Sequence, residues 1–91
     1  MYFLRATSHF DRRIRRFRRA HPELKRRLEQ IFRDLRDDPF QPHLRLHALS
    51  GELQGLHAVS VSYGYRIVLT LQIAEEEIIL HDIGSHDEVY G

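Results

Sequence analysis

Cysteine and tryptophan are absent from the 91 residues, methionine occurs once and proline three times. Without cysteine there is no disulfide framework and no thiolate-ligated zinc or iron–sulfur site. No apolar run approaches the ~18 residues a membrane-spanning helix needs. The opening residues Met1-Tyr2-Phe3-Leu4-Arg5 are too short an apolar stretch, and too soon charged, for a secretory signal. No membrane association and a cytoplasmic location are therefore expected. Internal repeats and low-complexity segments are also missing. What remains, 42% hydrophobic and 30% charged, is the composition of a soluble globular protein. The length admits a single domain over residues 1–91. A chain of this size buries roughly 60–65% of the surface its unfolded form exposes, which allows one thin core.

The net charge of +1 conceals an asymmetry. Residues 1–36 hold 12 Lys and Arg against four acids, whereas residues 37–91 hold only Arg45 and Arg66 against nine acids. Such a dipolar chain suggests a polyanionic or acidic partner for its basic half.

Tyr2–Thr7 reads as a short strand rich in β-formers. Ser8 offers a helix N-cap with Asp11 three residues on, a variant of the capping box. Phe10, Ile14 and Phe17 share one helical face, and Arg12, Arg13, Arg15, Arg16, Arg18 and Arg19 coat the rest. His21-Pro22 ends this helix and starts another. In the second, Leu24, Leu28, Ile31, Phe32 and Leu35 form an apolar stripe up to Asp38-Pro39. The second half alternates as strands do. A short strand is expected over 44–49, another over 56–62, a tight turn at Tyr63-Gly64, and a long strand whose apolar face is Tyr65, Ile67, Leu69, Leu71 and Ile73. A last strand spans 78–83, and 84–91 reads as a polar tail. The fold class is α+β: an N-terminal strand, a helical hairpin, then a three- to four-stranded antiparallel sheet.

Seven histidines invite the question of a metal, but His43 and His47 lie outside a helix and no HExxH pattern exists, so no metal or other cofactor is expected. Arg66 is the only Lys or Arg after position 45, on the parity of the long strand opposite its apolar face. Imidazoles can act as acid or base near neutral pH, and an arginine can hold a phosphate with two hydrogen bonds. Two histidines, one arginine and one tyrosine suffice for metal-free RNA transesterification, in which a ribose 2′-OH attacks the adjacent phosphate.

The run Leu46-His47-Ala48-Leu49-Ser50-Gly51-Glu52-Leu53-Gln54-Gly55-Leu56, then Tyr65-Arg66-Ile67-Val68, then Ile83-Gly84-Ser85-His86-Asp87-Glu88-Val89-Tyr90 resembles the RelE/ParE toxin superfamily. It is most similar to the RelE- and YafQ-type ribosome-dependent mRNA endonucleases. The resemblance implies a β-α-α-β-β-β fold, mRNA cleavage on the ribosome, and neutralisation in a hetero-oligomer with a short, acidic, partly disordered antitoxin. It implies catalytic roles for His47, Arg66, His86 and Tyr90: proton transfer at the histidines, phosphate contact at Arg66, an aromatic platform at Tyr90. Arg12, Arg13, Arg16, Arg19, Arg45, Ser60 and Tyr65 are the candidate substrate-binding residues.

The chain departs from the family pattern in three places. Ser60 stands where a basic residue is usual, Gly64 where an acid commonly precedes the YRI segment, and His57 where Trp or Tyr often follows the glycine. Alternation puts 57 and 60 on opposite strand faces, so His57 does not replace the imidazole lost at 60. Two other readings stay open: a ParE-like gyrase poison that acts on a protein, and a catalytically inactive RNA- or antitoxin-binding module.

Overall fold

A computed structural model describes residues 1–90. Phe3–Ala6 forms β1, and Thr7 continues it in extended conformation before α1, Ser8–Ala20. The Thr7 hydroxyl accepts a hydrogen bond from the Phe10 amide at 3.1 Å, so Thr7, rather than the expected Ser8, caps the helix. An N-cap must keep extended dihedrals while its oxygen reaches an amide three residues on, and Thr7 is where the strand ends. Phe10, Ile14 and Phe17 are buried, as their spacing requires. After His21, Pro22 opens a single 3-10 turn (Pro22–Leu24) that leads into α2, Lys25–Asp37. Leu28, Ile31 and Leu35 bury the inner face of α2, with Leu24 and Phe32 at its margin. Asp38 is extended before Pro39, where the helix was expected to stop.

The strand expected over 44–49 shrinks to β2, His47–Ala48, because Pro42–Leu44 forms a 3-10 turn and Arg45 takes a left-handed conformation. β3 (His57–Ser62) and β4 (Tyr65–Gln72) join through the Tyr63-Gly64 turn, with a bulge at Val61. Ile73, expected on the apolar face of β4, lies beyond its end and is exposed. β5 runs from Glu77 to Ser85, two residues past the expected end. Residues 86–90 are not a tail: His86–Tyr90 forms a short helix, α3, and Gly91 lies outside the described residues.

The five strands lie in the order β1-β5-β4-β3-β2. β2 to β5 each run antiparallel to the next, as expected, and β1 adds to β5 in parallel, so the first and last of these strands are neighbours. Within β5, Leu80 pairs with Leu69 and Asp82 with Val68, leaving His81 as an extra residue. That bulge shifts the inward parity from Ile78 and Leu80 to Ile83, keeping all three in the core. His81 shares a 2.6 Å hydrogen bond with the Thr70 hydroxyl, and burial lowers its pKa, favouring the neutral ring.

One charged residue enters the buried set. Asp34, on the inner side of α2, contacts His43 Nε2 at 2.7 Å through Oδ2 and accepts from Gln30 Nε2 at 2.8 Å through Oδ1. The His43 hydrogen bond is the main reason its carboxyl titrates below the usual aspartate value, against the opposing effect of burial. Asp34→Ala should lower stability by about 1–3 kcal/mol in urea unfolding, the cost of leaving polar groups unpaired. Because the folded-state pKa is depressed, the Asp34 contribution is complete above the ordinary aspartate pKa and disappears as pH falls through the lowered value. Asp34→Asn should therefore reduce the loss of stability on acidification.

Candidate active site

Burial of alternate residues orients the strands' remaining side chains. Val59, Ile67 and Leu69 pack under the helices, so Ser60 and Arg66, paired across β3 and β4, turn to the other face. His57 pairs with Leu69 and shares the helix-side parity, and its Nδ1 is buried without a hydrogen-bond partner among the described residues. As alternation required, it stands apart from Ser60.

An open cleft of about 690 Å³ lies between the β2 region and α3, and His47, Ser50, Glu52, His86, Val89 and Tyr90 are in its walls. The structure thus brings together three of the four expected catalytic residues, from segments 39 or more positions apart. His47 Nδ1 donates to the Arg45 carbonyl at 2.9 Å, which leaves Nε2 of the neutral ring with a free lone pair. His86 is exposed and stands edge-on to Tyr90, with ring centroids 4.4 Å apart. The Tyr90 hydroxyl is buried and has no partner among the described residues. Burial raises its pKa, only partly offset by the Arg66 guanidinium, so the phenol remains a donor at neutral pH. Arg66 itself lies in the wall of a neighbouring cleft with Arg45 and Ser60. Its Nη1 donates to the carbonyls of Ser62, Tyr63 and Tyr65 at 2.9, 3.2 and 3.0 Å, locking the stem of the fork to the hairpin turn.

α3 is held by a motif that the sequence carries in plain form. Ser85-His86-Asp87-Glu88 is a capping box: Glu88 Oε1 accepts from the Ser85 amide at 2.8 Å, and Ser85 Oγ accepts from the Glu88 amide at 3.2 Å. Hydrogen bonding from the Ser85 amide, then from the Ser85 hydroxyl, holds the Glu88 carboxyl below its usual pKa against the effect of burial, aided by Arg13 and Arg16. The Ser85–Glu88 spacing is the local signal that marks this helix within a segment otherwise polar enough to resemble a tail.

The other expected binding residues divide. Arg12, Arg16 and Arg19 are exposed on α1 but line neither cleft. Arg13 is half-buried instead. It pairs with Asp82 at 3.2 Å and Glu88 at 3.6 Å, and donates to the Ile83 carbonyl at 3.4 Å. It ties α1 to the end of β5 and to α3. Tyr65 faces the helices, packed between Phe17 and His21 at centroid distances of 5.1 and 4.5 Å, away from Arg66. The parity of β4 forces this, since Tyr65 shares the apolar face with Ile67. Among the described residues, no group of three or more His, Asp or Glu is placed to hold a metal ion.

A Cβ on Gly84 would lie 2.9 Å from Glu88 Oε1, 3.0 Å from Arg13 Nη2 and 3.1 Å from Glu88 Cβ. Gly84→Ala should therefore displace the Glu88 carboxylate and undo the capping box, costing about 1 kcal/mol by analogy with lost N-caps. Thermal unfolding measures the cost, and the amide shifts of residues 85–90 report the release of α3.

Comparison with known proteins agrees with this architecture. A family model described as the bacterial toxin of type II toxin–antitoxin system, YafQ, matches residues 2–91. The crystal structure of YafQ from E. coli strain BL21(DE3) superposes with a TM-score of 0.83 at 13% identity, covering all of both chains. A metal-bound toxin from Helicobacter pylori gives 0.80 at 22% identity, over 98% of this chain and 99% of that one. The E. coli DinJ-YafQ complex gives 0.80 at 14% identity, again over the whole of both chains. No curated protein sequence matches. With the family model spanning nearly every residue, the chain belongs to the YafQ family of bacterial toxins of type II toxin–antitoxin systems.

Proposed function

We propose that this toxin cuts ribosome-bound mRNA by metal-free transesterification, and that an acidic antitoxin neutralises it. The observation that carries the reading is the convergence of His47, His86 and Tyr90 on one cleft, with Arg66 on β4 opposite Gly84, close to the start of α3.

The reaction needs a base for the 2′-OH proton, an acid for the departing 5′-oxygen, and positive charge on the phosphate as its own charge grows. His47 suits the base, because its Nδ1 bond to the Arg45 carbonyl reserves the Nε2 lone pair for the hydroxyl proton. His86 suits the acid, exposed at the start of α3 and steadied by the Tyr90 ring. Arg66 offers the part of its fork not bound to the turn carbonyls to a non-bridging phosphate oxygen. The Tyr90 hydroxyl, buried and unpaired, gains a hydrogen bond when a substrate oxygen arrives, and its ring provides a face for a splayed base.

The antitoxin half of the proposal is supported by the DinJ-YafQ complex and by charge. Between α1, α2 and β1 runs a groove with Phe10, Ile14, Phe32 and Leu80 in its walls and Arg18, Arg33 and Arg36 among its charged residues. An acidic segment that is disordered when free can fold there, placing apolar side chains on the floor and carboxylates at the arginines.

His86→Gln and His47→Gln should each slow cleavage of mRNA on programmed ribosomes by about 10²–10⁴-fold, and Arg66→Ala by about 10²–10³-fold. The fold should survive, as measured by thermal unfolding. Products should end in 2′,3′-cyclic phosphate in the presence of a chelator. If the wild-type protein leaves ribosome-bound mRNA intact but blocks DNA supercoiling, the gyrase reading replaces this one.

Arg12, Arg16 and Arg19 test the docking of α1 on ribosomal RNA. Changing all three to Gln should weaken ribosome association and flatten its salt dependence without unfolding the chain. Arg13 must stay, since it holds β5 and α3 in place.

A further inference from the structure

β2 pairs with β3 only at His57 and Ala58, so from Val59 onward that edge of β3 has no neighbouring strand. Beside it opens a second cleft of about 390 Å³, lined by Arg27, His43, Arg45, Ser60, Tyr63 and Arg66 among others. Three arginines from three separate elements meet here. Arg27 reaches from α2 and donates to the Val61 carbonyl at 3.1 Å, at the β3 bulge. Arg66 comes from β4, and Arg45 from the loop before β2. None of the three pairs with a carboxylate among the described residues, and no acid is in the cleft wall. Asp34, behind the wall, is engaged with His43 and Gln30, and so fixes the His43 ring in the wall.

Two further details point to a ligand. Arg45 is a non-glycine residue with φ 56° and ψ 42°, a left-handed conformation that long side chains seldom adopt and that the surroundings must hold. Tyr63 is fully exposed, and the carbonyl of the same residue binds Arg66. A large aromatic held in water beside three unneutralised guanidinium groups forms a π-face next to an anion site. That pairing is how single-stranded nucleic acid is held without reading its sequence. An acidic peptide fits less well, because the cleft lacks the apolar floor that the groove between α1, α2 and β1 provides.

We propose that this cleft is a nucleotide subsite for single-stranded RNA. Arg27 and Arg45 hold the phosphodiester next to the one that Arg66 contacts, and Tyr63 stacks on the base beside it. The inference rests on the RNA-directed reading given above and extends it from the cleaved bond to a neighbouring nucleotide. Arg66 borders this cleft and pairs across β4 and β5 with Gly84, two residues before α3 begins, so one strand can run from the first cleft to the second.

The probe is a 2′-O-methyl RNA trinucleotide, which lacks the attacking hydroxyl and binds without being cut. Calorimetric titration is run on the wild type and on Arg45→Asn, Tyr63→Ser and Tyr63→Phe. Asn tolerates the left-handed backbone, and Tyr63 supports no core, so the variants stay folded. Tyr63→Ser should weaken binding about fivefold to a hundredfold, as loss of a stacked base does, while Tyr63→Phe retains it. Arg45→Asn should weaken binding and reduce the salt slope by about 0.7. Unchanged affinity in both Arg45→Asn and Tyr63→Ser would overturn the subsite, even with cleavage intact. Trinucleotide binding that depends on Arg45 and Tyr63 in a protein that cuts no mRNA would preserve the subsite and sink the transesterification reading alone. Inorganic phosphate competing as well as the trinucleotide, with no effect of Tyr63→Ser, would reduce the cleft to a phosphate site. A hexaglutamate peptide binding more tightly than the trinucleotide, with the same dependence on both residues, would reassign it to an acidic protein.

Discussion

Burying Ile67 and Leu69 against the helices decides where every other side chain of β4 goes. Both are fully buried, and each contributes roughly 1.5–3 kcal/mol through removal from water. A slip of one residue would take both out of the helix-facing core and carry Arg66 into it, so burial of alternate residues fixes the register. Arg66 reaches the outer face as a by-product of that burial. Ser60 follows because it is Arg66's partner across β3 and β4, and Tyr65 is denied to the outer face by the same alternation. The placement of the candidate chemistry is thus inherited from the core.

This dependence explains what could be read from the sequence. The stripes Phe10/Ile14/Phe17 and Leu28/Ile31/Leu35 specify two helices by spacing, and both are buried as the pattern requires. Alternation from Tyr65 to Leu71 specifies β4 equally well. Contacts between distant segments leave no such periodic trace. Nothing in local spacing tells that β1 docks beside β5, that Asp34 meets His43 across the end of α2, or that Arg13 binds Asp82 and Glu88 instead of solvent. Composition makes every arginine of α1 look alike; only packing separates Arg13 from Arg12. The capping box at Ser85 and Glu88 is a different case. Its spacing is local and legible, and it was obscured by the polarity of its surroundings.

The arginines show how one residue type takes on unlike work. Arg66 satisfies three carbonyls of a tight turn, Arg27 covers the carbonyl exposed by a bulge, and Arg13 joins a helix to a strand end. Each uses the planar fork to bond backbone oxygens that the sheet leaves open, which an ammonium group does less well. The basic excess of residues 1–36 therefore serves the fold as well as any partner.

The order of the strands bears on when the protein becomes harmful. β1 is made before β5, yet β5 is its only strand partner among the described residues. While the ribosome is still adding Glu77–Ser85, β1 has nothing to pair with and β4 lacks one of its two neighbours. The His86 and Tyr90 helix is made later still. A nascent chain therefore carries its arginines into the cell before it carries a finished sheet, and long-range closure of this kind is slow compared with helix formation. Synthesis itself imposes a delay between the appearance of the basic helices and the assembly of the cleft. During that interval an antitoxin can meet the chain before the toxin is complete.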